Sequence, residues 1–476
     1  MSKKSDMSKE KNINQQLNKL IKGNPLLNVL KPCRINDGIN QLDAASFSKY
    51  ESYFDSKKNK KKITFFIPAS GSGSRMFGNL YDYIQNKNNS NNETVEFIQK
   101  LLNSADRFSF YNKLPQAFKD NLKTGELNIE KFVKFLLFKE GLNFGNLPKG
   151  LIPFHLYGKF IINPFQEHIL QGSKIAGEKA NFHFTINKQY GTEINHSIEI
   201  LKEITGINFS SAYSEQDPET HSTAFTDNNE IAKENDLPII RPSGHGALIH
   251  NLNTIKSDLI FIKNIDNIQH YNKAETALST KKALGGLLLN FQEDVFQFLN
   301  STTDSNWQTL ALALNTKYNL SINEVDLNNK NWLFTHFNRP IRVCGMVKNE
   351  GQAGGGPFWT ADEKGNISKQ IIEKAQFTPN QLPIMLHATH FNPVDIVCSP
   401  LTYKNTKFNL VDFVNDELYF IVNKTQNGQD IKYIENPGLW NGGMYNWLTL
   451  FYEIDSKCFS PVKTVLDLLK PLHLEH

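Results

Sequence analysis

Cysteine is scarce here: Cys33, Cys344, Cys398 and Cys458 are the four in 476 residues, and they stand far apart. Without a C-x-x-C pair, neither a zinc ribbon nor a disulfide framework is indicated, and a reducing, cytoplasmic setting is expected. No stretch approaches the ~18 consecutive apolar residues of a membrane span. The N-terminus, MSKKSDMSKEKN, is charged and lacks the apolar core of a secretory signal. An excess of one charge is missing too: Lys+Arg 52 against Asp+Glu 48 leaves +4. That balance gives no reason to expect a nucleic-acid or membrane partner. The nucleophile elbow G-x-S-x-G is absent, so a serine hydrolase is unsupported, and there is no internal repeat. His387 and His390 have the spacing of a helical metal pair, but Asn392-Pro393 breaks any helix there and no third ligand is obvious.

What is present is the composition of an ordinary globular protein, 39% hydrophobic and 21% charged, long enough for a large core and more than one domain. Residues 1–62 read as a polar, partly helical lead-in ending in a lysine-rich loop, and Ile63–Ile67 as a short buried strand. Residues 79–146 carry apolar residues at helical spacing, in ETVEFIQKLLNSADRF and IEKFVKFLLF, and read as a helical insertion. Extended structure is expected over 147–155, a helix over 163–180, a strand over 181–187, a helix over 193–206 and a strand over 207–216. A nearly continuous apolar strand over 258–266 and a long helix over 276–300 follow, and 332–460 is rich in strand and turn signals. Alternating strands and helices predict a Rossmann-like α/β fold with a mixed, mostly parallel sheet. The final LEH has the form of an expression-tag remnant.

The chemistry-bearing stretch is KKITFFIPASGSGSRMF, 61–77. A loop at the carboxyl end of a parallel strand lies where α/β proteins bind ligands. Gly71 and Gly73 permit positive φ and close backbone approach. Ser72 and Ser74 add hydroxyls, free N–H groups in such a loop form an anion nest, and Arg75 is a planar, permanently charged fork. Both common phosphate fingerprints are missing. No lysine follows Gly73 as a P-loop requires, and the third glycine of the dinucleotide motif falls on Met76. Taken alone, the loop is an anion cradle or a tight turn carrying an arginine.

Three further stretches follow in order: PKGLIP (148–153), RPSGHGALIHNL (241–252) and IFIKNIDN (260–267). With SGSGSRM they resemble the sugar-phosphate nucleotidyltransferases, the nucleotide-sugar pyrophosphorylases. That superfamily has a G-x-G-[ST]-R loop, a P-K-x-L-x-P segment, a G-G or G-H-G segment at the base, and a magnesium-binding aspartate at a later strand end. Over about residues 20–470, notably in RPSGHGALIHNLN, HFNPVD and GLWNGGMYNW, the chain resembles one bacterial domain family of unknown function, family 4301. Residues 76–147 make the interval between loop and lysine unusually long for the superfamily, which fits an inserted helical region. The loop opens Pro68-Ala69-Ser70 in place of paired glycines and alanine, which leaves the base open.

The resemblance implies a nucleotide-diphospho-sugar transferase (GT-A-like) sheet: an α/β nucleotide-binding core over 63–330, then a sugar-binding part over 331–473 ending in a helix. It implies a nucleoside triphosphate and a sugar 1-phosphate as substrates, with Mg²⁺, and pyrophosphate as a product. Gly71, Ser72, Gly73 and Ser74 would hold the triphosphate, and Arg75 the departing pyrophosphate. Lys149 would neutralise the attacking phosphate or the α-phosphate, Asp266 would hold the metal, and Asn267 would cap or orient it. Gly244, His245 and Gly246 would approach the base, with Gln216 a further base contact. Glu373, Lys374 and Asn441 would meet the sugar. Each has a plainer structural reading: turns at Gly244–Gly246 and Gly354–Gly356, an exposed charge pair at Glu373-Lys374, a packed aromatic turn around Trp440 and Trp447, an N-cap or turn at Asp266. Two other functions stay open. A glycosyltransferase using a nucleotide-sugar usually carries D-x-D, whereas Asn267-Ile268 follows Asp266. A non-catalytic nucleotide- or sugar-binding protein would have less need of Arg75, Lys149 and Asp266 together.

Overall fold

In the computed structural model the apolar run after the lysine tract is strand β1 (Ile63–Pro68), buried until its last residue. Residues 2–25, 27–86, 91–242, 244–301, 306–351, 354–426 and 429–475 are described. The chain divides into two units. The loop unit comprises Lys62–Glu215, Lys263–Lys281 and Asp455–His476, and the second unit Met1–Lys61, Gln216–Ile262 and Lys282–Ile454.

In the loop unit, β1 pairs in parallel with β2 (Asn181–Thr185), and β2 in parallel with β3 (Ser210–Ser214). Phe65 and Phe182 stack across the first pair at 5.2 Å. Between β1 and β2 lies the expected insertion, with α1 (Gly78–Gln85), α2 (Asn92–Asn103), α3 (Gln116–Thr124) and α4 (Ile129–Leu137). Helix α5 (Pro164–Ala176) starts at a capping box: Asn163 Oδ1 accepts from Gln166 N–H and Gln166 Oε1 from Asn163 N–H, with proline at the first helical position. Helix α6 (Gly191–Thr205) stops at Gly206, whose φ of 65° is left-handed.

In the second unit four strands, β4 (Leu259–Ile262), β5 (Ile341–Lys348), β8 (His390–Ser399) and β9 (Leu448–Glu453), lie in the order β9-β5-β8-β4. β8 runs against β4 and β5, while β9 is parallel to β5. A smaller antiparallel sheet joins Asn28–Pro32 to β6 (Gly356–Ala361) and β6 to β7 (Ile367–Ile372). The fold is thus α/β with a helical insertion, as expected, and the pairing of β1–β5, β8 and β9 is mixed and mostly parallel. The long helix forms over Glu275–Asn300. Among the described residues, no helix is long and apolar enough to cross a membrane.

Three local expectations are corrected. The apolar strand expected over 258–266 stops at Ile262, so Asp266 lies in a turn beyond it. Residues 147–155 are not continuously extended: Lys149–Leu151 is a 3₁₀ turn, with Gly150 so close to Phe165 that a Cβ would sit 2.4 Å from its ring. The expected C-terminal helix is a pair of 3₁₀ turns, Val465–Leu469 and Pro471–His473. His476, in the suspected tag remnant, lies outside the described residues.

Candidate functional site

The segments at the carboxyl end of β1 are joined by backbone pairing within the loop unit. Lys149 N–H donates to Gly71 O at 3.1 Å and Gly73 N–H to Leu147 O at 3.0 Å, and Ser72 bridges to Pro148. The loop and the lysine motif, separated by the insertion in sequence, are therefore neighbouring segments. On the same strand, Lys263 N–H donates to Phe66 O (3.4 Å) and Ile265 N–H to Pro68 O (3.2 Å), which brings Asp266 to the end of β1.

The loop differs in detail from an open nest. Neither Gly71 nor Gly73 has positive φ, which corrects the conformational reason for those glycines. Gly73 is needed for space: a Cβ there would lie 2.5 Å from Ile152 Cδ1 and 3.0 Å from Leu147 O, whereas nothing lies within 4 Å of one at Gly71. The N–H groups of Gly73 and Ser74 are already engaged, the latter by Ser72 Oγ at 3.1 Å, and the Ser72 hydroxyl donates to Ser74 Oγ at 3.0 Å. Arg75, in the 3₁₀ turn Ser74–Phe77, is exposed, and among the described residues no carboxylate pairs with it. The exposed positive charge of the loop is thus the Arg75 guanidinium, and two of its backbone N–H groups are turned to bonds within the unit.

Lys149 and Asp266 meet as a largely buried ion pair, Nζ to Oδ2 at 2.8 Å with side chains 13% and 15% exposed. Lys463 Nζ reaches the same oxygen at 3.5 Å. Burial pushes the Asp266 carboxyl up, but Lys149 and Lys463 outweigh it and hold the group below the usual carboxylate range. Burial pulls the Lys149 ammonium down, and Asp266 only partly restores it. Lys463 went unnoticed in the sequence because SPVKTV matches no motif. It is anchored by Asp467, whose Oδ2 accepts from the backbone N–H groups of Lys463 (2.8 Å) and Thr464 (2.7 Å). Asn267 holds the backbone of the C-terminal segment, accepting from Ser460 N–H at 2.8 Å.

A single apolar cluster fixes these segments. It contains Met76 and Phe77 beside Arg75, Ile152 and Phe154 after Lys149, Ile268 after Asp266, and Val462 and Val465 around Lys463, all packed with Phe132, Val133 and Leu136 of α4. The insertion thus supplies the common core behind all four charged positions.

The other candidates lie in the second unit. Gly244–Ala247 is a 3₁₀ turn, and Gly246 packs against Asn436, where a Cβ would come to 2.7 Å. Ser243 and the side chain of His245 lie outside the described residues. Glu373 and Asn441 converge through hydrogen bonds: Trp440 Nε1 donates to Glu373 Oε1 at 3.1 Å and Asn441 Nδ2 to Gln376 Oε1 at 3.4 Å. Burial raises the Glu373 carboxyl. Lys374 is exposed in the adjoining turn. Asn441 is buried, and its Oδ1 accepts from Gly442 N–H at 2.7 Å, so it first serves its own turn. The sequence also gave no sign of Arg342, fully buried on β5, which donates to Trp440 O at 2.6 Å and Thr449 Oγ1 at 2.8 Å.

A metal at Asp266 can be judged from its donors. Oδ2 is taken by two lysines, leaving one carboxylate oxygen, and the described residues hold no group of three or more His, Cys, Asp or Glu suited to a cation. This does not fit a resident metal held by the protein alone.

Fold and site together define a class: an α/β protein whose first parallel strand ends in a glycine-serine loop and an arginine, beside a largely buried Lys149–Asp266 pair that the exposed Lys463 also reaches. The chain belongs to the family described as "Domain of unknown function (DUF4301)", whose model matches residues 2–474. No curated protein matches it. Among solved structures it is similar to the uridine diphosphate N-acetylglucosamine pyrophosphorylase from Trypanosoma brucei in complex with an inhibitor. The identity is 11% and the TM-score 0.49, covering 96% of this chain and 74% of that one. It is also similar to a UDP-glucose phosphorylase from Trypanosoma brucei, at 12% identity and TM-score 0.42, covering 94% and 69%.

Proposed function

We propose that the protein transfers a nucleotidyl group from a nucleoside triphosphate to a sugar 1-phosphate and releases pyrophosphate. The observation that carries this reading is the Lys149–Asp266–Lys463 cluster, joined by Lys149's own backbone to the Gly71–Ser74 loop. Two like-charged phosphates must approach each other in this reaction, and a pair of lysines oriented by one carboxylate is suited to neutralising them.

A phosphate oxygen of the sugar attacks the α-phosphorus. The new P–O bond forms as the α–β bond breaks, and pyrophosphate departs with the bonding electrons. Positioning and charge neutralisation supply most of the catalysis in such an in-line displacement. Lys149 and Lys463 meet the reacting phosphates, Asp266 keeps them in place, and Arg75 takes the leaving pyrophosphate. Magnesium would come with the triphosphate as part of the substrate and neutralise its charge, and the remaining Asp266 oxygen would be the carboxylate atom open to it. Base contacts at Gly244–Gly246 and sugar contacts at Glu373, Lys374 and Asn441 are part of the same proposal.

The test is pyrophosphate release with Mg²⁺, each nucleoside triphosphate and a panel of sugar 1-phosphates. At least one pair is expected to release it, and Arg75→Ala is expected to abolish release while the protein stays folded. Nucleotide binding without release from any pair would make this a binding protein. Sugar transfer from a nucleotide-sugar to an acceptor would make it a glycosyltransferase.

A further inference from the structure

The second unit contains a cavity of about 670 Å³ that none of the proposed site residues lines. It is within the size range of small-molecule sites. It lies at the amino ends of β5 and β9: Arg339 stands two residues before β5, and Trp447 immediately precedes β9. Ligands of open α/β sheets bind at the carboxyl ends of strands, so ordinary sheet topology does not account for it.

Two cations of its walls, Lys369 and Arg339, bond to no carboxylate among the described residues. Lys369 on β7 is 9% exposed and is the cross-strand partner of Trp359 on β6, whose ring centroid lies 5.8 Å from Lys369 Nζ. That ammonium has a long 3.5 Å contact to Asn319 O, and Arg339 Nε a 3.4 Å contact to Thr335 O. No carboxylate bonds to either among the described residues. Burial pulls both groups down. His336 stands beside them: burial first, then Arg339 and Lys369, pull its imidazole down to about 3. Trp332 stacks on His336 at 4.5 Å. The acids of the wall bond to other groups of the same wall. Asp37 accepts from Lys31 (2.6 Å) and Trp359 Nε1 (3.0 Å), Asp326 from Asn323 (2.8 Å), and Asp362 from Asn366 (2.7 Å).

The wall's aspartates bond to neither Arg339 nor Lys369; burying two cations without a direct anionic partner is unfavourable, and a bound anion relieves that. We infer that this cavity binds a small organic anion, a ring compound bearing a phosphate or carboxylate, whose charged group pairs with Arg339 and Lys369 while its ring packs on the Trp332 and Trp359 indoles. Arginine's fork suits either oxyanion, and the indoles offer flat apolar contact. The site does not depend on the proposed transferase activity.

Trp332, Trp359 and Trp447, three of the five tryptophans, line the cavity, so binding is readable by intrinsic fluorescence. Phenyl phosphate, benzoate and, as a neutral control, benzyl alcohol are titrated into the full chain at constant ionic strength. A saturable change is expected with phenyl phosphate, benzoate or both, and the stronger of the two identifies the oxyanion. Affinity is expected to fall at least about tenfold in Lys369→Met and in Arg339→Gln, the loss of one charge-assisted contact. Lys369→Arg and Arg75→Ala are expected to bind like the parent. Circular dichroism checks each variant, and if Lys369→Met does not fold, Arg339→Gln decides. No saturable change with either anion, undiminished affinity in the folded charge-removing variants, or loss of binding in Arg75→Ala would each overturn the proposal.

Discussion

At Lys149, burial and charge pull in opposite directions: enclosure disfavours the ammonium, and Asp266 holds it. Removing Lys149 leaves Asp266 buried with only the longer Lys463 contact, so Lys149→Met is expected to lower stability by up to about 3 kcal/mol in urea denaturation. Lys149→Met combined with Asp266→Leu is expected to recover much of that loss. The pH dependence follows from Asp266, whose carboxyl is depressed in the folded state. Its contribution is complete above the unfolded carboxylate pKa of about 4 and is lost as pH falls through the lower folded value. The stability gap between the parent and Asp266→Asn should therefore be full at neutral pH and close in strong acid. The two loop glycines give a sharper contrast. Gly73→Ala sets a Cβ 3.0 Å from a fixed carbonyl and 2.5 Å from Ile152, and is expected to destabilise by about 1–3 kcal/mol, while Gly71→Ala meets nothing and is expected to be near neutral. Gly73 was visible as a loop residue in the sequence, but its packing was not, because Leu147 and Ile152 are distant in the chain.

Among the elements, the insertion is what gives the charged positions a shared foundation. Leu136→Ala on α4 removes a fully buried side chain from the cluster behind the loop. It is expected to cost about 2–5 kcal/mol of stability by thermal or chemical denaturation, and to weaken triphosphate binding although the leucine side chain has no charge or polar group to offer a phosphate. Strands and helices were largely legible because their periodicities are local: β1, α5, α6 and the long helix Glu275–Asn300 form where the apolar pattern predicts them. The C-terminal segment was not. Val462, Val465 and Leu468 recur every third residue, a spacing that matches the 3.0-residue turn of a 3₁₀ helix better than an α-helix. The strand after Ser257 ended early because its pairing with β8 runs only from Ile260 to Ile262, and the next residues turn to bond β1 instead. Apolar composition alone cannot reveal where a partner strand stops.

For the whole molecule, family membership spans both units, and the candidate phosphate grip is complete within the loop unit. The motif order in the sequence led to Arg75, Lys149 and Asp266. Lys463 comes from the far end of the chain and depends on tertiary packing, which no short motif records. If the cluster grips a triphosphate, a Mg²⁺-bound triphosphate at a hundred times its dissociation constant should stabilise the protein by about 2.7 kcal/mol, and Arg75→Ala should lose that shift at the same concentration. The most direct measurement of the central claim is single-turnover pyrophosphate release by the parent and Lys149→Met in parallel, with a productive triphosphate and sugar 1-phosphate pair. The parent is predicted to release one pyrophosphate per active site, only when both substrates are present, and the folded variant none. Equal release by the two proteins, or release without sugar phosphate, would contradict the account.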